Sequence, residues 1–390
     1  MRILISGGGI AGMTLAYWLH HDGHTPVVVE RDSRAVSGGY GIDFGGTGYD
    51  VAARMGIAER LSAHQLPVES AEFVDEQGHV FASLSRATVG KISRGPHLGL
   101  MHGTLEEALA ETIASDVEIR YGQSIAALEQ NPNAVVVTFA RGAQETFDLV
   151  VGADGVHSGT RERIFGPTPA FQHHLGYQVA IHPIADCFGL GPVRTHYTEP
   201  GRQLVLYPTG TPGQLIAMYL FHSDNTTTVD ARRRAPLLRE VYDGMRWHTP
   251  AVLEQMPESI FMDTLTQICM PRWHRGRVVL VGDACGCTTL ASAQGVSMAM
   301  AGGYLLAESL RAHPDDHETA FAAYQARLQP QVSHRQRNAR RFARGLVPRT
   351  QCGLSAQKMA MRVVMREGFA GLLRQQFGAD TILPLTGART

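Results

Sequence analysis

The chain has 390 residues, 44% of them hydrophobic and 18% charged, and a formal net charge of -1. That length exceeds what one hydrophobic core commonly spans, so about two domains are expected; the balanced charge excludes a chain built to bind nucleic acid or an anionic membrane surface. Five cysteines, Cys187, Cys269, Cys285, Cys287 and Cys352, contain no C-x-x-C pair, which argues against a disulfide framework and against a bound metal.

Arg2 to Ser6 forms an apolar strand that runs straight into Gly7-Gly8-Gly9-Ile10-Ala11-Gly12, a G-x-G-x-x-G turn. Gly7 permits the tight turn, Gly9 lets backbone approach a pyrophosphate, and Gly12 lets the next helix pack on the strand. That helix is expected over 10–21, ended by Gly23, with unpaired N–H groups of Ile10 and Ala11 at its start. A second strand then ends in Glu30, about 20 residues beyond the turn, where an acid that binds a ribose hydroxyl belongs. Arg31 beside it would concern the adenosine. NAD, NADP and FAD all satisfy this unit. The chain opens in its first strand, which leaves no room for a signal peptide, and no apolar run approaches the ~20 residues of a membrane span. A cytoplasmic protein is expected.

The segment 37–46 is too glycine-rich for a regular element, and as a loop around Tyr40 and Gly41 it would let backbone come close to a flat ligand. A helix is expected over 47–61, strand-like segments over 71–84 and a helix over 104–114. Strands follow over 117–121 and 134–139 with Asn131-Pro132-Asn133 turning between them. Residues 148–151 read as a buried parallel strand that ends in Asp154-Gly155. From Gly166 the texture becomes an antiparallel insert with strands over 176–184, 193–197, 203–207 and 214–221, closed by helices over 232–246 and 250–255. Its aromatic and polar side chains, His182, His196 and Tyr207 among them, could line a pocket for a polycyclic compound. A buried strand returns at 276–283 and ends in Gly282-Asp283, with a helix over 294–312 behind it. Beyond lie a helical stretch over 318–343, expected to break at Pro330, and an amphipathic helix over 356–377 that would brace the domains or cover the substrate side. The basic run 335–341 is explained by a solvated helix face.

Three ordered motifs, the turn at Gly7, Gly9 and Gly12, Asp154-Gly155, and Gly282-Asp283, together resemble those of the flavoprotein hydroxylases of the p-hydroxybenzoate hydroxylase fold. These are single-component, FAD-dependent aromatic and polyketide monooxygenases, the tetracycline-inactivating enzymes among them. The resemblance covers residues 1–330 and implies an α/β architecture. A Rossmann-like, glutathione-reductase-like FAD-binding domain would occupy 1–165 and 266–330, an antiparallel β-sheet substrate domain 166–265, and a C-terminal helical segment 331–390. It further implies that the glycine turn holds the FAD pyrophosphate and Glu30 the adenosine ribose. Asp154 would serve FAD and the transient docking of NAD(P)H, and Asp283 the ribityl chain. The helix that starts at Gly295 and Val296 would aim N–H groups at the flavin N1/O2 edge, where the reduced ring is anionic.

The implied reaction hydroxylates an aromatic or polyketide-like small molecule with NAD(P)H and O2 through a flavin C4a-hydroperoxide, in a monomer or homodimer that needs no nucleic acid or membrane. The cofactor supplies most of the chemistry. A nearby group need only accept the substrate's proton, a role for which His182, His196 and Tyr207 are candidates. The sequence departs from the family at His102, where an arginine usually reaches the flavin phosphates, and at Gly286, Leu290 and Ala293 in the segment after Asp283. These departures leave open a redox-neutral cyclase or isomerase that keeps FAD as a structural element, and a flavin-dependent reductase.

Overall fold

The protein is described by a computed structural model covering residues 1–33, 39–92, 95–289, 294–365 and 381–383. Its first sheet has six strands in the spatial order His274–Arg275, Val278–Leu280, Leu149–Gly152, Arg2–Ser6, Thr25–Glu30 and Glu118–Tyr121. All neighbours pair in parallel except the short edge strand His274–Arg275. Ile3, Leu4 and Ile5 are fully buried, as are Val28 and Val150, because helices cover one face and an antiparallel three-stranded sheet covers the other. On the helical side, Ile10–His21 lies against Gly295–Ala312 so closely that a Cβ on Gly303 would come within 2.8 Å of the Leu15 nitrogen. Parallel pairing has a functional consequence. It gathers the carboxyl ends of four strands, which carry Gly7, Glu30, Ala153-Asp154 and Val281, along one edge.

The second sheet has seven strands in the order Phe261–Ile268, Gln172–Ala185, Gln214–His222, Arg202–Pro208, Val193–Glu199, Ser70–Val74 and Val80–Ser85. It extends beyond the 166–265 insert, because the hairpin at Ser70–Val74 and Val80–Ser85 joins it from the first half of the chain and Phe261–Ile268 closes its other edge. One face packs Leu204, Leu206, Ala217 and Tyr219 under the helices Ala231–Val241 and Thr249–Glu254. The other carries Tyr177, Val205, Tyr207 and Ile216 and meets Tyr40, Met101 and the end of the long helix at Ala343 and Val347.

Local departures from the sequence reading have physical causes. Within the glycine-rich segment, Gly41–Gly45 is a strand paired with His97–Met101, because Ile42 and Phe44 alternate into the core on one side. The helix over 47–61 is two, Thr47–Arg54 and Ala58–Ala63, divided at Gly56, whose φ of +76° ends the first. A helix at Arg86–Ile92 has no counterpart in the sequence reading. Pro330 does not break His317–Ala343; buried Tyr324, Leu328 and Val332 anchor the helix on both sides of it, which offsets the lost backbone hydrogen bond. The last helix among the described residues is Gln351–Val364, and the expected continuation to 377 lies outside them, as do Ser37, Gly38, Leu290 and Ala293.

Candidate active site

The glycine turn is built by collision. Gly7 has φ +116°, and a Cβ there would sit 2.3 Å from the Ala153 carbonyl oxygen; one on Gly12 would sit 2.0 Å from the Gly7 carbonyl oxygen. Neither position tolerates a side chain. Gly9 differs, since a Cβ there would meet only the Glu106 carboxylate at 3.8 Å and otherwise enter open space. That space faces the first turn of Ile10–His21, which has no side-chain cap, so the N–H groups of Ile10, Ala11 and Gly12 lack intrahelical partners. An anion fits there. The Glu30 carboxylate accepts the Gly8 N–H at 2.8 Å and the Asp32 N–H at 3.0 Å, which fixes it on the rim of this cradle, while Arg31 is exposed.

The two aspartates that end strands do different work. Both carboxylate oxygens of Asp154 are engaged within its own turn, by the Ser158 hydroxyl and by the Thr160 N–H at 2.9 Å and hydroxyl at 2.8 Å. Asp154 therefore shapes the turn. Buried Arg161, which the sequence reading missed, then donates to the carbonyls of Ala284 at 2.9 Å and Val156 at 2.6 Å, locking the Asp154 and Asp283 segments together. Gly282 has φ +62°, and a Cβ there would lie 2.8 Å from Ala11, which sets Asp283 beside the first turn of Ile10–His21. Burial raises the Asp283 pKa, opposed by a hydrogen bond from the Cys287 thiol and by the field of His102. Gly286 packs under the long helix, where a Cβ would stand 2.9 Å from Val332, so no side chain fits at that family position. Gly295 and Val296 are half-buried at the uncapped start of Gly295–Ala312, close to the same edge.

Between these segments and the seven-stranded sheet runs an aromatic corridor. The Tyr40 ring centre lies 5.2 Å from that of His102 and 6.2 Å from that of Phe261, and Phe261 is 51% exposed although it is a large apolar side chain. His102 holds its Nδ1 3.4 Å from the Glu106 carboxylate, and its backbone N–H donates to the Tyr40 carbonyl at 2.9 Å. Burial and the charge of Asp283 raise the Tyr40 pKa, so its phenol stays protonated. Aromatic rings together with the uncapped glycine turn suit a flat group attached to a diphosphate.

The sheet end of the corridor is polar. Tyr207 accepts the Gly41 N–H at 2.9 Å, and the Arg194 guanidinium lies 5.2 Å from the centre of its ring. Arg194 also pairs with Asp43 at 3.5 Å, Asp43 with His97 at 3.8 Å, and the buried Arg194 Nε has no hydrogen-bond partner among the described residues. His196, two residues along the strand from Arg194, stacks on Phe73 at 4.6 Å; burial, with Arg194 adding to it, lowers its pKa to about 3. It is a neutral imidazole at physiological pH. His182 is elsewhere. Its strand pairs it with Ala217 on the helix-covered face, where its Nε2 lies 3.1 Å from the Tyr219 hydroxyl, so it does not share a site with His196 and Tyr207. Arg194, Asp43 and His97 come from three strands and carried no sequence signal.

The sequence matches the family described as FAD binding domain over residues 1–335. The chain belongs to this FAD-binding family. A flavin-dependent monooxygenase of Legionella longbeachae is 32% identical over 341 residues, which is 86% of this chain and 87% of that protein. The 6-hydroxynicotinate 3-monooxygenase of Pseudomonas fluorescens is 29% identical over 364 residues, 86% of this chain and 89% of that enzyme. Among solved structures, tetracycline destructase Tet(55) superposes with a TM-score of 0.83 at 27% identity, covering 98% of each chain. The protein is an FAD-dependent monooxygenase of this fold, and FAD is its cofactor. In this flavoenzyme the described residues contain no His, Cys, Asp and Glu cluster able to hold a metal, and no described helix is long and apolar enough to cross a membrane.

Proposed function

We propose that this monooxygenase consumes NAD(P)H and O2 to hydroxylate an aromatic or polyketide-like molecule that presents an acidic hydroxyl, enol or carboxylate. The observation that carries the substrate class is Arg194, whose buried Nε lacks a partner among the described residues while Asp43 and the Tyr207 ring hold the guanidinium in place. A phenolate or enolate beside it would gain a charge-assisted hydrogen bond, and the anionic form is the more electron-rich ring. Tyr207 has its pKa raised by burial, so it donates its O–H and is no base. His196, with a pKa of about 3, is a neutral imidazole at neutral pH, with one ring nitrogen that donates and one that accepts a hydrogen bond. Neither is a general base of ordinary strength; both can orient a polar ring.

On the cofactor side, Gly7, Gly9 and Gly12 with the N–H groups of Ile10 and Ala11 would hold the pyrophosphate of FAD. Glu30 would take the ribose, and Asp283 and His102 the polar chain between phosphate and ring. The N-terminal N–H groups at Gly295 and Val296 would meet the ring edge that becomes anionic on reduction. When bound, FAD supplies hydride acceptance and oxygen activation; the protein binds, orients and keeps water from the corridor of Tyr40, Gly41 and Phe261. The test follows NADPH and NADH oxidation in air and under argon with candidate phenols and polyketides. Substrate-stimulated oxidation with oxygen incorporated supports the proposal, and turnover that needs neither nicotinamide nor O2 overturns it.

A further inference from the structure

A second pocket lies away from the cofactor corridor, between the long helix His317–Ala343 and the segment that leads into the strand Gln172–Ala185. Its volume is about 420 Å³, within the range of sites that take small ligands. Arg337 and Arg340 line it from one helix face, one turn apart; Ser333 and Gln336 come from the same helix, and Phe171 and His173 stand opposite. No aspartate or glutamate is among the described residues that line it.

The pocket floor is rigid. Buried Gln336 donates from Nε2 to the carbonyls of Ile268 at 2.8 Å and Cys287 at 2.9 Å. Buried Gln267 donates to the Gln336 carbonyl at 3.0 Å and accepts from Arg340 Nη1 at 2.8 Å. That bond is to a neutral amide, so the Arg340 guanidinium is oriented but its charge is not compensated. Arg337 is exposed and makes no hydrogen bond or ion pair with a described residue. Two cations on one wall, with no carboxylate among the described lining residues, create a positive potential in a concave site, and a dianion meets two guanidinium forks better than one.

We infer that this pocket binds a phosphate group, free or carried on a small molecule with a flat portion. The phosphate lies between Arg337 and Arg340 with the Ser333 hydroxyl as a further donor, and the half-buried Phe171 ring provides a wall on which a flat portion can stack. The basic run of the sequence is thereby divided. Arg335 turns to Gln294, and Arg337 and Arg340 face the pocket. The same floor also bonds the carbonyls of Cys287 and Thr288, which follow Asp283, so an occupant would rest on the backbone that forms one wall of the cofactor site.

The test is isothermal titration of the FAD-loaded protein with AMP, adenosine and inorganic phosphate. AMP is expected to bind at least about tenfold more tightly than adenosine, a ratio that corresponds to one charge-assisted contact. Arg337→Gln, at an exposed position with no partner among the described residues, is expected to weaken AMP about tenfold with bound flavin absorbance unchanged, and Arg337→Glu to weaken it further. Phosphate as tight as AMP assigns the site to the free ion; AMP tighter than phosphate assigns it to an ester that uses Phe171. Equal binding of AMP and adenosine, or an Arg337→Glu variant that binds AMP as the parent does, overturns the inference.

Discussion

The Tyr207 hydroxyl accepts the backbone N–H of Gly41 at 2.9 Å, joining the seven-stranded sheet to the strand that follows the cofactor-side glycines. Gly41 also has no room for a side chain, since a Cβ there would lie 2.9 Å from the Tyr207 ring. The two residues fix the distance between the surface that would hold substrate and the surface that would hold the flavin.

Tyr207→Phe keeps the ring and its contact with Arg194 but leaves the Gly41 N–H without its acceptor, at a cost of about 1–3 kcal/mol. The FAD-loaded variant is expected to melt at a lower temperature than the parent. An unchanged midpoint would mean that the Gly41 N–H finds another acceptor.

The glycine turn offers a contrast between two neighbouring positions. Gly9→Val places its methyl groups in open space, so the protein is expected to fold and stay soluble but to lose FAD affinity by about a hundredfold, the equivalent of ~3 kcal/mol. Gly12→Val would drive its Cβ into the Gly7 carbonyl, 2.0 Å away, and is expected to yield no folded protein. Circular dichroism and flavin absorbance of both variants separate a blocked cradle from a broken one; full flavin occupancy in Gly9→Val would refute the mapping.

His102 is the position where charge can be added to the cofactor side. An arginine there would keep the contact with Glu106, 3.4 Å from the present imidazole, and bring a permanent charge and a fork to the region of Asp283. His102→Arg is expected to tighten FAD several-fold in equilibrium dialysis, and an unchanged dissociation constant would place the residue outside the cofactor's reach.

What was legible in the sequence was local. The glycine turn, the acid at Glu30 and the Gly282-Asp283 strand end are contiguous patterns whose geometry follows from a few residues, and the structure assembles them on one sheet edge. The substrate side was not legible, because Asp43, His97 and Arg194 are far apart in sequence and meet only through strand pairing. His182 shows why the histidines of the insert could not be sorted. Its strand is buried on both faces, so no polar and apolar alternation marks which side turns to the corridor, and a residue one register step away would point the other way. The bonds that hold Asp154 were not legible for a related reason, since the serine and threonine that donate to its carboxylate follow it within six residues but their hydrogen bonds depend on the turn.

The pKa of His196 gives a prediction about stability. An imidazole at 6.5 in the unfolded chain and about 3 in the folded one binds more protons unfolded, so folding opposes protonation throughout the interval between them. Stability is therefore unaffected above about pH 7 and falls as pH drops from 6.5 towards 3. His196→Gln, which cannot be protonated, is expected to flatten that decline, seen as a smaller loss of melting temperature between pH 7 and pH 5 than in the parent. Identical losses would show that His196 titrates normally and is open to solvent.

Arg194 separates a substrate anchor from a structural ion pair. Removing its charge leaves Asp43 with His97 at 3.8 Å, so the cleft keeps one partner for that carboxylate. If the guanidinium meets an acidic hydroxyl or enol of the substrate, Arg194→Gln is expected to raise KM for an acidic substrate by ten- to a hundredfold, the range of one charge-assisted contact worth ~1.5–3 kcal/mol. For an analogue in which that hydroxyl is methylated, the parent and the variant should have similar KM values, because the lost interaction was never available to it. A purely structural arginine would instead weaken both compounds alike and lower the melting temperature of the FAD-loaded protein. Measuring KM for the pair of compounds in parent and variant, with a thermal melt of each protein, decides between the two roles.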